Sequence, residues 1–200
     1  MRYLFFIILL FSFSLIQAQT LVDKIKKLRY DTQWQQVAAI PLQFPTYHPQ
    51  GMVKVGAFFY MSSVEVIKPP RNGETGEGIG HLFKMDSTGK LLAQIILGES
   101  AIYHPGGIDY DGKHIWIPVA EYRPNSQAII YKVDPNTMQS TEVFRFKEHI
   151  GGIVHNTDAN TLFGVSWGSR NFYHWKLNKN GQVSNVKASP EDLRFINPSF

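Results

Sequence analysis

A five-residue phrase occurs three times in this chain, and it constrains the fold more than any other feature. It reads His48-Pro49-Gln50-Gly51-Met52, then His104-Pro105-Gly106-Gly107-Ile108, then His149-Ile150-Gly151-Gly152-Ile153. The copies begin 56 and 45 residues apart. Self-similarity at such a period marks a repeat architecture, in which one unit cannot bury its apolar face alone and stacks on the next. In the first two copies the register runs without a gap from Tyr47 to Glu65 and from Tyr103 to Glu121.

The same order of short apolar runs follows each copy. Phe58-Phe59-Tyr60, Ile115-Trp116-Ile117 and Leu162-Phe163-Gly164-Val165 come first. His81 to Asp86, Ile129 to Asp134 and Phe172 to Asn178 come next. A turn then appears at Asp86-Ser87-Thr88-Gly89, Asp134-Pro135-Asn136-Thr137 and Asn178-Lys179-Asn180-Gly181. Leu91 to Leu97, Thr141 to Phe146 and Gln182 to Val186 close the units. Aromatic and β-branched runs separated by Asp, Asn, Gly and Pro are the punctuation of antiparallel meanders. Four short strands in a repeat of about 40–50 residues make a propeller blade. The sequence therefore predicts an all-β fold, a β-propeller with about three blades, at about 48–103, 104–148 and 149–193.

A propeller ring needs about four to eight blades. The chain thus reads as an incomplete ring, a fragment of a longer protein of about six to eight blades. Trp34 to Phe44 reads as an N-terminal closing strand, which extends the partial propeller domain to residues 34–200. Before it, residues 19–33 read as a short helix and linker. Thr20 caps that helix, and Leu21, Val22, Ile25 and Leu28 form its apolar face.

The first eighteen residues carry a different signal. Met1-Arg2 is a positive start, Leu4 to Ile16 is apolar except for Ser12 and Ser14, and Ala18 is a small residue at the end. This is a secretory signal peptide over residues 1–18, too short for a spanning helix. The mature chain is expected to be periplasmic or secreted, with no stable membrane span. It contains no cysteine, so its stability cannot rest on disulfides. The formal charge is +4, but apart from Lys24, Lys26, Lys27 and Arg29 the basic residues are scattered, and no basic stripe points to nucleic acid.

Strand parity indicates where a site would lie. In a four-stranded blade, the loop before the first strand and the loop after the second open on one face. His48, His104 and His149 precede the first strands. Glu65, Glu121-Tyr122-Arg123 and Trp167-Gly168-Ser169-Arg170 end the second strands. His48, Glu65, His104, Glu121, Arg123, His149, Trp167 and Arg170 are therefore the candidate ligand-binding residues around one mouth of the channel. Glu65, His104 and Glu121 form a candidate metal set, and His and Glu donors suit zinc or a similar divalent ion better than calcium. The glutamates could instead pair with Arg71, Arg123 or Arg170. The third unit has Gly168 or Ser169 where the acid would stand.

Other motifs lead nowhere. Gly164-Val165-Ser166-Trp167-Gly168 matches a nucleophile elbow, but a strand-like run follows it rather than a helix. The glycine-rich stretch Gly73 to Gly80 lacks a Gly-Lys-Ser/Thr ending and reads as a long hairpin loop. Asp111-Gly112 is a preferred hairpin dipeptide rather than part of a calcium loop.

His104 to Ser126, Gly151 to His155 and Gly164 to Arg170 together resemble an uncharacterised family of secreted proteins known as a domain of unknown function. That family is similar to the YVTN and quinoprotein-amine-dehydrogenase-like propellers. The resemblance covers about residues 35–200 and implies a propeller with more blades, but no established activity. The Asp-Gly-x-x-Ile-Trp hairpin is more distantly similar to gluconolactonase and strictosidine-synthase-like propellers. Two readings follow. One is an exported propeller that binds a small molecule, glycan or protein at the channel mouth. The other is a metal-dependent hydrolase of lactonase or phosphotriesterase type, in which the ion polarises an oxygen and activates water. There Glu65 and Glu121 would be ligands, His104 a ligand or base, and Arg123 or Arg170 an anion clamp.

Overall fold

The computed structural model describes residues 23–185. The expected signal peptide lies outside these residues, as do the start of the expected helix and the tail from residue 186. Two compact units divide the described chain, residues 23–39 and residues 40–185. In the first, a single helical turn at 23–25 is followed by irregular backbone. Arg29 N–H donates to Thr32 Oγ1 at 2.8 Å within it.

The second unit contains three antiparallel sheets in sequence order. The first comprises β1 (His48–Val55), β2 (Phe58–Lys68), β3 (Glu77–Met85) and β4 (Leu91–Leu97), in that spatial order. In the second, an inner edge split into β5 (Ile102–Pro105) and β6 (Asp109–Tyr110) pairs with β7 (Ile115–Glu121). Then come β8 (Ala128–Val133) and β9 (Ser140–Phe146). The third comprises β10 (Ile150–Asn156), β11 (Thr161–Ser166) and β12 (Phe172–Lys176). These are three blades of a β-propeller.

Repeated local chemistry produces the repeated blade. Asp86, Asp134 and Asn178 each follow the third strand, and each side-chain oxygen accepts the backbone N–H of the residue two positions on. This Asx turn sends the chain back. The repeated phrase also encodes a bulge. One extra residue sits between Pro49 and Gly51 and another between Ile150 and Gly152. The second blade carries one too, since Pro105 pairs with Val119 but Asp109 pairs with Trp116. A bulge bends an inner strand and re-aims the side chains before it.

Glycine is required at the phrase because the inner strands meet there. Gly107 N–H donates to Gly151 O at 2.9 Å, and Ile153 N–H donates to Gly107 O at 3.2 Å. A Cβ on Gly106 would lie 2.4 Å from Gly151 O, and one on Gly51 would lie 2.9 Å from Gly107 Cα. Side chains at these positions would push the blades apart.

Alternation along β7 supplies the two main cores. Ile115, Ile117 and Val119 face the first blade and pack with Tyr60, Leu82 and Leu97. Trp116 and Ala120 face the third and join Ile130, Phe146, Ile150, Leu162 and Trp175. Every residue of β7 is buried, as expected for a strand covered on both sides. Trp175 is fully buried against Phe144 and Phe146, with ring centroids at 5.3 and 5.0 Å.

The structure departs from the sequence expectations at two segments. Residues 34–44 contain no strand. Leu42 and Phe44 instead pack as side chains on Met61, Phe83 and Met85 of the first blade, and one backbone bond from Gln43 N–H to Gly89 O holds them. Apolar residues there serve side-chain packing without ladder pairing. The fourth strand expected at 182–186 is reduced to a bridge between Leu177 and Val183, and Val186 lies outside the described residues. Asn185 explains this locally: its side chain bonds Lys176 N–H and His174 O, taking backbone groups a ladder would use. Among the described residues no helix is long and apolar enough to cross a membrane.

Candidate functional site

The three phrase histidines converge because each stands at or just before an inner strand, ahead of its bulge. The rings of His48 and His104 lie 6.5 Å apart, and those of His104 and His149 lie 5.9 Å apart. With Gln50, Tyr122, Ser166 and Trp167 they line a cavity of about 310 Å³. Tyr122 stacks on His104 at 4.1 Å, and Trp167 meets His149 edge-on at 4.8 Å. Tyr122 and Trp167 are themselves 5.8 Å apart, so the wall is a continuous aromatic array.

Each ring is held differently. His48 Nδ1 is bonded to Gln50 Nε2 at 2.9 Å, so the bulged Gln50 orients it. His149 Nδ1 lies 2.8 Å from the carbonyl oxygen of Glu121, which makes that nitrogen the donor. Glu148 accepts the backbone N–H of His149 at 2.8 Å. His104 is buried, and among the described residues neither ring nitrogen has a hydrogen-bond partner. Burial, reinforced by His149 and His48, pushes its pKa down to about 4. Burial also lowers His149, against the hydrogen bond to Glu121. These two imidazoles are therefore neutral at pH 7.

The other expected residues divide among different places. Glu65 turns to the far side of the first blade, where its carboxylate lies 3.4 Å from His81 Nε2. Tyr47 stacks on His81 beside it at 5.1 Å. Strand parity explains this, because His48 pairs with Val64 and the next residue points to the opposite face. Glu121 is buried and accepts from Arg123 Nε and Gln127 Nε2, both at 2.7 Å. Glu121 and Arg123 line a second cavity of about 410 Å³, next to Gly73–Gly76 of the β2–β3 loop. Tyr122, between them, faces the histidines. The tripeptide is thus a partition between two cavities. Arg170 is exposed after the 3₁₀ turn Trp167–Ser169 and does not line the histidine cavity.

The expected metal set is therefore not gathered: Glu65, His104 and Glu121 direct their donor atoms to three separate environments. Among the described residues no three His, Cys, Asp or Glu side chains are grouped to hold an ion. Sequence reasoning passed over Tyr122 and Gln50 as site residues. Alternation from Glu121 could have placed Tyr122, but nothing short of the bulge could have placed Gln50.

The profile of a family of unknown function, DUF6454, matches residues 7–200. The chain belongs to this family. No curated protein matches the sequence. Among solved structures, the chain is similar to the periplasmic gluconolactonase of Pseudomonas aeruginosa, at 18% identity and a TM-score of 0.47, covering 75% of this chain and 43% of that one. It is also similar to the β-propeller domain of the Trilobed protease of Pyrococcus furiosus, at 16% identity and a TM-score of 0.43, covering 76% and 46%. The DUF6454 chain therefore spans less than half the length of either structure.

Proposed function

We propose that this DUF6454 protein is an exported propeller that binds a small, uncharged, polar ring compound, such as a sugar unit, in the histidine cavity. The observation that carries the reading is the pairing of an aromatic wall with neutral imidazoles. Tyr122 and Trp167 give the cavity an aromatic surface on which the apolar side of a ring can pack, and neutral imidazoles both donate to and accept from hydroxyl groups. A concave site with aromatic walls and a few polar groups is the usual form of a small-molecule site. Export rests on the N-terminal sequence, with its positive start, apolar run and Ala18.

The hydrolase reading is less favoured, because the carboxylates it needs serve His81, Arg123 and Gln127 instead. One experiment separates the two. A panel of hexoses, uronic acids, short oligosaccharides and sugar lactones is titrated into the full chain by calorimetry, with lactone and ester turnover assayed in parallel. Saturable binding without turnover is expected, weakened about tenfold or more in Trp167→Ala, as for loss of a buried aromatic contact. Turnover that disappears in both His104→Ala and Glu121→Gln would establish the hydrolase instead. Binding that Trp167→Ala leaves unchanged would overturn the assignment of the cavity.

A further inference from the structure

A second polar pocket lies at the other end of the inner strands. His149 precedes β10 and His155 stands near its end, so a strand of seven residues, about 20 Å, separates the histidine cavity from this pocket. It has a volume of about 310 Å³ and lies between the β6–β7 hairpin of the second blade and the 178–181 turn of the third. Lys113, Lys132 and Lys179 line it, and none of their ammonium groups has an ion-pair partner among the described residues. Among the described residues Asp111 is the only carboxylate in its lining, and its oxygens are already committed.

Those commitments build the pocket wall. Asp111 Oδ1 accepts the backbone N–H groups of Lys113 and His114, at 2.8 and 2.7 Å. Asp111 Oδ2 accepts Trp116 Nε1 at 2.7 Å and lies 2.8 Å from His155 Nδ1. Burial opposes the charge on Asp111, but these bonds outweigh it and hold its carboxyl down at about 2. A carboxylate facing Nδ1 fixes the imidazole with its proton on that atom. In the neutral ring Nε2 is then the acceptor. His155 lines the pocket, its side chain is only 10% exposed, and its Nε2 is buried with no hydrogen-bond partner among the described residues. A buried polar atom left unmade is costly, and a ligand in the pocket can supply what is missing.

We propose that this pocket binds a phosphate group. The three lysines supply unpaired positive charge for its anionic oxygens, and His155 Nε2 accepts from its protonated oxygen. A phosphate carries both features near neutral pH, because its second ionisation lies close to it. Sulfate has the anionic oxygens but no proton to donate, so it separates a built site from a merely positive surface.

The test is calorimetric titration of the full chain with inorganic phosphate, glycerol phosphate and sulfate at constant ionic strength. Phosphate is expected to bind at one site and more tightly than sulfate. The glycerol phosphate arm reports whether the site takes free phosphate alone or a monoester as well. The exposed lysines Lys113 and Lys179 can change with little risk to folding, and Lys113→Gln/Lys179→Gln should weaken phosphate at least about tenfold, since charge-assisted bonds are the strong ones. His155→Phe should abolish the preference for phosphate over sulfate. Equal binding of the two anions by the unmodified chain, no saturable binding, or phosphate binding indifferent to the double lysine variant would each overturn the proposal. None of these outcomes bears on the histidine cavity, which holds none of these residues.

Discussion

His104 should make this protein sensitive to mild acid. Its pKa falls from 6.5 in the unfolded chain to about 4 in the fold, through burial and two neighbouring histidines. The fold therefore holds the neutral ring, and as pH drops below the unfolded value the unfolded chain takes up the proton first. Stability from this group is present above about pH 6.5, is lost as pH falls towards about 4, and falls no further below that. Between about pH 7.5 and about pH 5 the loss works out at about 2 kcal/mol, from about 1.4 kcal/mol for each pH unit of displacement. In a domain of this size that lowers Tm by about 4–8 °C. The perturbation is His104→Phe, which keeps a ring to stack on Tyr122 and removes the titrating nitrogens. His149 and His114 are also lowered, and they remain in the variant. The informative quantity is therefore the difference in Tm loss between the two proteins across this window, read by calorimetry or circular dichroism. An equal loss in wild type and variant would refute the reasoning, because burial of His104 would then carry no proton linkage.

Gly106→Ala should cost about 1–3 kcal/mol, because its Cβ would meet Gly151 O at 2.4 Å; denaturant melts would show it. Trp175→Leu should cost at least about 2 kcal/mol, since the indole is fully buried among Phe144, Phe146 and Tyr173; a thermal melt with unchanged midpoint would contradict that packing. Asp111→Asn should cost about 2–4 kcal/mol by removing the charge that four donors share, and Trp116 fluorescence should report the disturbance at the hairpin. In the unmodified chain the contribution of Asp111 persists to about pH 4 and is lost as pH falls towards about 2.

The sequence by itself determined the blade. The repeated phrase located the inner strands, the apolar runs located the strands beside them, and the Asp and Asn turns returned the chain at matching points. These are local properties, written in neighbouring residues, so one strand's sequence is enough to reveal them. The convergence of His48, His104 and His149 was legible for the same reason: three equivalent positions in three stacked blades must approach the axis together. Tertiary structure decided what neighbouring sequence could not. Glu65 and Glu121 hold equivalent places in the repeat, yet one meets His81 and the other Arg123 and Gln127, because each carboxylate finds its partner among residues that differ between blades. The Asp111–His155 contact joins positions 44 residues apart in different blades, and no pattern within either segment announces it. Residues 34–44 show the same limit, since their apolar spacing suits a strand but among the described residues their one backbone–backbone bond runs to Gly89. Repetition in sequence fixes the backbone scaffold, whereas side-chain partners depend on which unlike residues the stacked sheets bring within reach.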